Sequence, residues 1–107
     1  MVEKEIVRIV KAFVTELKRH KIKVSKVIIY GSRVSGRAHE YSDIDVAVVS
    51  PDFGKKGYAG SAKLFEIASQ IDPRIEPVPI SLESYNNDTW IPLIYEIRTK
   101  GIEMKAA

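Results

Sequence analysis

The stretch that decides the fold is "YGSRVSGRAHEYSDIDVAV", which runs from Tyr30 to Val48. It starts where the apolar run "KVIIY" ends and closes on the segment "DIDVAVV", residues 43–49. Short apolar runs bounded by turn residues indicate buried strands. We therefore predict two strands joined by a glycine-containing basic loop. Two aspartates follow the loop at the start of the second strand.

The two aspartates are the first candidate functional residues. Side chains alternate along a strand, so Asp43 and Asp45 face the same side, about 6.6 Å apart along the chain, while Ile44 and Val46 face the core. Adjacent carboxylates repel, and a divalent cation offsets the repulsion. Mg²⁺ prefers one or two carboxylates together with phosphate oxygens and water. Alternatively, both aspartates merely begin a strand in solvent, and Asp-x-Asp alone does not decide between the two.

The preceding loop favours the functional interpretation. Gly31 and Gly36 bracket "GSRVSG", and glycines let backbone N–H groups approach a phosphate closely. Ser32 adds a hydroxyl donor, and Arg33 and Arg37 add charged forks. We predict that this loop binds the phosphates of a nucleoside triphosphate and that the aspartates bind its metal. A P-loop is excluded, because an arginine stands where that motif needs lysine.

The rest of the chain predicts a small α/β fold. Helical spacing of apolar residues indicates helices over residues 3–20, 61–71 and 88–101, and residues 74–81 look extended, with two prolines that restrict them to an edge or a strand end. The glycine-rich residues 50–60 predict a loop. The order α-β-β-α-β-α indicates one domain, residues 1–107, with a mixed β-sheet packed against helices. The predicted buried faces contain Ile6, Val10, Phe13, Val14 and Leu17 in the first helix, Leu64, Phe65, Ala68 and Ile71 in the second, and Trp90, Ile94 and Ile97 in the third.

Composition narrows the function classes. The chain has 107 residues, no cysteine, two histidines and a net charge of +3. Disulfides, thiolate zinc sites and cysteine nucleophiles are therefore excluded. No apolar run is long enough to span a membrane and no signal peptide is visible, so we expect a cytoplasmic protein without a membrane partner. Nucleic acid is not expected either, because the basic cluster "KRHKIK" fits a solvated helix end.

Gly31-Ser32, ten further residues and then Asp43-Ile44-Asp45 resemble the signature of the DNA polymerase β-like nucleotidyltransferase superfamily, and specifically its minimal (MNT) domains. The resemblance implies a small nucleotidyltransferase fold and two Mg²⁺ ions that act on a nucleoside triphosphate, with ATP as the donor. It implies that Asp43 and Asp45 are catalytic metal ligands and that Gly31 and Ser32 bind phosphates. The family usually adds a third carboxylate from a later strand, for which Glu76 is the candidate.

The same resemblance suggests a partner. Minimal members often pair with a helical HEPN toxin and, as antitoxins, adenylylate one of its tyrosines. Two alternatives remain open. The domain could neutralise its partner by docking alone, through the segment from Trp90 to Ile97, or it could transfer a nucleotide to a small molecule or an RNA end. A homodimer or a hetero-oligomer is compatible with each of them.

Overall fold

The described part of the computed structural model, residues 2–54 and 60–104, contains five helices and four strands. In chain order they are α1 (Lys4–Arg19), β1 (Lys26–Tyr30), α2 (Ser32–Ser35), β2 (Ile44–Ser50), α3 (Gly60–Ile71), β3 (Ile75–Ser81), α4 (Leu82–Asn87), α5 (Pro92–Lys100) and β4 (Ile102–Met104). The predicted α/β fold with a mixed sheet is confirmed. The elements α2, α4 and β4 add to the predicted order.

The sheet has the strand order β3-β2-β1-β4. The strand β1 lies antiparallel to both β2 and β4, whereas β2 and β3 run parallel. The two central strands have helices on both sides, which explains their continuous apolar sequence. The strand β3 lies at the edge, as its prolines predicted, since Pro77 and Pro79 have no N–H to donate to a further strand.

Helices cover both faces of the sheet. On one face α1 and α3 pack against the strands, and the predicted apolar stripe of α1 is confirmed as buried. On the other face α4 and α5 bury a smaller cluster, which consists of Ile28, Tyr30, Ala47, Val49, Ile80, Tyr85, Ile94 and Ile97. The predicted orientation of Ile44, Val46 and Val48 is also confirmed, because they belong to the α1 and α3 side. Every second residue of β2 therefore faces α4 and α5.

Two predicted core positions are wrong. Phe65 is 47% exposed, and Ile67 is buried on α3 instead. Trp90 is 77% exposed because the last helix begins at Pro92 and not at Asp88. A residue before proline is biased toward extended backbone, and Ile91 has this conformation, with φ of −70° and ψ of 123°. Asp88 ends α4 as its C-cap and does not start α5.

The three missed elements are short. The helix α4 begins at Ser81, whose hydroxyl accepts a hydrogen bond from the Ser84 amide, a common N-cap arrangement. The strand β4 follows Gly101, where a side chain would overlap Ile28 of β1. Of the predicted loop over residues 50–60, residues 51–54 form turns, and 55–59 lie outside the described residues. No helix in the described part of the chain is long and apolar enough to cross a membrane.

Candidate active site

Asp45 lies at the centre of the candidate site. On β2 it pairs in register with Tyr30 of β1 on one side and with Glu76 of β3 on the other. Its side chain is half-buried, and Asp43 is exposed just before the strand begins. The sheet therefore brings the two aspartates and Glu76 to the same end of the strands, where β2 and β3 begin and β1 ends.

Burial and the neighbouring carboxylates disfavour the charged form of Asp45. The pKa of Asp45 is raised, first by burial and then by the negative charges of Asp43, Glu76 and Glu96. Burial, followed by the charges of Asp45, Glu96 and Glu76, raises the pKa of the neighbouring Tyr30 hydroxyl to about 12. No positive charge counts among the causes of either shift. The electrostatics of the site therefore favour a bound cation.

The described residues do not enclose a metal ion by themselves. Among residues 2–54 and 60–104, no three carboxylate or imidazole groups converge closely enough to hold one. The charge pattern fits a divalent ion that Asp43 and Asp45 would hold, with phosphate oxygens and water completing the coordination shell. Glu76 is the in-register neighbour of Asp45 but is exposed, so its role as a third ligand stays a prediction.

Gly31 connects β1 to the phosphate-loop candidate, and its conformation strongly favours glycine. Its φ is +76°, and a methyl group on its Cα would overlap the Oδ2 atom of Asp45. It precedes the single turn of α2, which Gly36 ends in the left-handed conformation, with φ of +84°. Residues with side chains strongly disfavour these conformations. The two glycines therefore permit the tight turn that brings Gly31, and with it the start of α2, close to Asp45.

An open cleft of about 560 Å³ lies next to this turn. Its lining residues are Gly31, Ser32, Val34, Ser35, Arg37, Glu96 and Lys100. The predicted phosphate-loop residues Gly31, Ser32 and Arg37 are thus brought together. Glu96 and Lys100, which lie one turn apart on α5, were not predicted from the sequence. Their Glu-x-x-x-Lys spacing is common on exposed helices and gave no distinctive signal.

The prediction that Arg33 faces the phosphates is not met in this arrangement. Arg33 is buried, only 7% exposed. Its guanidinium Nη2 donates to the carbonyl oxygens of Ser42 at 2.6 Å and Glu40 at 3.3 Å. It is absent from the cleft lining, as is Gly36. The single turn of α2 directs Arg33 toward the backbone of the following loop, so Arg37 is the arginine that lines the cleft.

Comparisons with known proteins agree with this geometry. The sequence model of the family described as "Polymerase beta, Nucleotidyltransferase" matches residues 12–106. A Sulfolobus solfataricus protein assigned as a nucleotidyltransferase has a similar structure, with a TM-score of 0.62 and 16% identity over 92% of this chain and 78% of that one. A toxin-antitoxin structure with AMP-PNP gives a TM-score of 0.60 and 24% identity over 87% and 70%. At these identities the two structures support the fold alone. No curated protein matches the chain significantly.

Proposed function

Because the chain belongs to the polymerase β nucleotidyltransferase family, we propose that it is a Mg²⁺-dependent enzyme that moves AMP from ATP to a hydroxyl group. The observation that carries this proposal is the position of Asp45. It lies in a cluster of negative charge and directly beside the Gly31-Ser32 turn of an open cleft. A pair of carboxylates next to a glycine turn suits a metal-bound triphosphate better than it suits a neutral ligand.

Each group has a separate task in this proposal, and the three carboxylates of Asp43, Asp45 and Glu76 lie outside the cleft lining. Asp43 and Asp45 would hold Mg²⁺, which neutralises charge on the triphosphate and activates the attacking oxygen when bound. The backbone at Gly31 and the hydroxyl of Ser32 bind phosphate oxygens, and Arg37 supplies positive charge at the exposed end of the cleft. In this proposal Glu76, the in-register neighbour of Asp45, would accept the proton of the acceptor hydroxyl.

The chemical step is a substitution at the α-phosphorus. The acceptor oxygen forms a bond to the α-phosphorus, and the bond from this phosphorus to the oxygen bridging to the β-phosphate breaks. Pyrophosphate leaves with that electron pair, and the hydroxyl proton passes to a carboxylate or to solvent. The chain's own residues would orient the triphosphate for attack, and such positioning accounts for much of the rate enhancement in phosphoryl transfer.

For the acceptor we propose a tyrosine of a HEPN-type toxin partner, so that the protein acts as an antitoxin. The support is a fold neighbour of the chain, the toxin-antitoxin structure with AMP-PNP, which combines this fold with a protein partner and an adenine nucleotide analogue. A tyrosine hydroxyl is a suitable nucleophile once a nearby carboxylate removes its proton.

The test is a co-expression experiment. The chain is produced with the protein encoded beside it, ATP and Mg²⁺ are added, and intact masses are recorded. We expect AMP-sized increments on the partner with the natural chain and none with Asp45→Asn. Glu66→Gln, an exposed position on α3, is the matched control and retains the increments. Increments that persist with Asp45→Asn would refute the proposed site.

A second candidate function, neutralisation by docking alone, is favoured by one observation. Trp90, Leu93 and Tyr95 are exposed by 77%, 38% and 59% and lie within six residues of one another. The apolar stripe predicted for docking is corrected here, because Ile94 and Ile97 are buried in the core. If the natural chain and Asp45→Asn form equally stable complexes without any mass increment, docking is the function.

A further inference from the structure

Two arginines from distant parts of the chain bind the same loop carbonyl. The Nη2 of Arg33 donates to Glu40 O at 3.3 Å and to Ser42 O at 2.6 Å, and the Nη1 of Arg74 donates to Glu40 O at 2.9 Å. We call Arg33, Arg74 and Asp72 the arginine clamp. Hydrogen bonds from a charged donor are roughly twice as strong as neutral ones, so the loop is fixed at this carbonyl.

The clamp is itself held in place. Asp72 accepts from Arg74 through both oxygens, from Nε at 3.0 Å and from Nη2 at 2.9 Å. This pairing lowers the pKa of Asp72, with the side-chain hydrogen bond from Arg74 as its main cause. A bidentate pair fixes the plane of the guanidinium. Arg33 is fixed by burial, and its Nε has no partner within the described residues.

Arg74 makes hydrogen bonds to the backbone on both sides of Asp43 in the chain. Through its side chain Arg74 binds Glu40 O, and through its backbone oxygen it accepts the Ile44 amide at 2.8 Å. Asp43 precedes the first residue of β2 and is exposed. The ladder between β2 and β3 begins at Ile44, so Asp43 lies just outside it, between the Ile44 amide and the Glu40 carbonyl that Arg74 binds.

Building on the proposed function, we propose that Arg33 and Arg74 are positioning residues, which set the Asp43 carboxylate against Asp45 so that both face the same metal ion. Neither arginine belongs to the cleft lining, so neither needs to touch the substrate. A displacement of about 1 Å in such a site costs on the order of 100-fold in rate. Asp72 contributes indirectly, because its two hydrogen bonds orient the Arg74 guanidinium.

The first experiment needs no substrate. Amide hydrogen exchange is measured by mass spectrometry and NMR on the metal-free full chain, for the natural sequence, Arg74→Lys and Asp72→Asn. In the loop, the Ser42 amide donates to His39 O at 3.0 Å, and the His39 amide donates to Ser42 Oγ at 2.9 Å. We expect both amides to exchange at least about tenfold faster in the variants. The control Arg19→Lys alters an exposed pair with Glu16 and leaves them unchanged.

The second experiment separates positioning from a purely structural role. Mn²⁺ binding in the presence of a non-hydrolysable ATP analogue is titrated for the same variants, and transfer kinetics are measured. Arg74→Lys should weaken Mn²⁺ binding at least about threefold and lower kcat about 10-fold to 100-fold, with KM for ATP within about threefold. Excess Mg²⁺ should restore part of the rate, and a metal-free Tm of Arg74→Lys well above the assay temperature shows that the lost rate does not come from unfolding.

The outcomes distinguish this inference from the proposed function. If loop exchange in Arg74→Lys matches the natural chain, the clamp does not hold the loop and the inference is wrong. If exchange rises while Mn²⁺ binding and kcat stay the same, the loop is held but Asp43 does not depend on it, which also overturns the inference. If the natural chain transfers no nucleotide, the proposed function fails, while weaker Mn²⁺ binding in Arg74→Lys would still support the clamp. Arg33→Lys serves as a second variant if Arg74→Lys does not fold.

Discussion

Asp45 shows how one residue can favour function at the expense of stability. Its pKa is raised above the ordinary value of 3.8, so it keeps its proton to higher pH in the folded chain than in the unfolded chain. Ionisation of Asp45 therefore lowers the free energy of unfolding. The loss is complete above the pKa of Asp45 in the folded chain, and it is absent below its pKa in the unfolded chain. This contribution of Asp45 should become less favourable as the pH rises through this window, whereas the lowered pKa of Asp72 contributes in the opposite direction, so the effect of Asp45 is read from the difference between the natural chain and Asp45→Asn.

Asp45→Asn tests that trade-off. At neutral pH we expect Tm to rise by about 2–5 °C, because a charge that burial and like charges oppose is removed. Transfer should fall at least about 100-fold, because a metal ligand is lost. Thermal denaturation between pH 3 and 8 with a transfer assay measures both. A variant with lower stability at neutral pH would contradict the electrostatic account of the site.

Gly31 carries a second prediction at this scale. Gly31→Ala should cost about 1–3 kcal/mol of folding free energy, because its φ is positive and the added methyl meets the Asp45 carboxylate. Gly54→Ala is the matched control, since its φ is +87° but its nearest neighbour, Ser81 Cβ, lies at an ordinary 3.5 Å. Both should unfold at lower denaturant concentration, but only Gly31→Ala should lose transfer. Equal activity in the two variants would show that the turn is not part of the site.

Among the secondary structure elements, α5 contributes most that the sequence did not reveal. It buries Ile94 and Ile97 against the sheet and places Glu96 and Lys100 on the cleft. Lys100→Gln should raise KM for ATP about threefold to tenfold, because an exposed cation near phosphates contributes about 1 kcal/mol. Lys100→Arg should keep KM near the natural value, and Lys63→Gln on α3 is the control. An unchanged KM in Lys100→Gln would remove α5 from the nucleotide site.

The elements also show what sequence patterns can and cannot predict. Continuous apolar runs predicted β1 and β2, and Pro77 and Pro79 predicted an edge strand, because burial and missing donors are local properties. The short strand β4 depends on a long-range pairing with β1, and no local pattern announces it. Arg33 matched a phosphate-binding arginine in composition, but a single helical turn directs it into the protein.

On the scale of the whole molecule, the surface has two helical faces and, between them, the strand ends that carry the candidate site. The face with α5 exposes Trp90, Leu93 and Tyr95, whereas α3 on the opposite face exposes only Phe65 among the large apolar side chains of the described residues. Exposed aromatic residues close together are typical of protein interfaces. A partner bound on the α5 side would also lie next to the cleft, which α5 lines.

This geometry predicts a separation of binding from chemistry. Trp90→Ser with Tyr95→Ser should weaken binding of the proposed HEPN-type partner at least about tenfold, because aromatic hot-spot residues contribute about 2 kcal/mol or more each. Affinity for a Mg²⁺–ATP analogue should stay within about twofold, since neither residue lines the cleft. Calorimetry with the purified partner and with the analogue measures the two affinities independently. Phe65→Ser, on the opposite face, is the control and should alter neither. If the double variant binds the partner normally while Phe65→Ser does not, the partner docks on α3, and the acceptor hydroxyl must reach the cleft from the other side of the sheet.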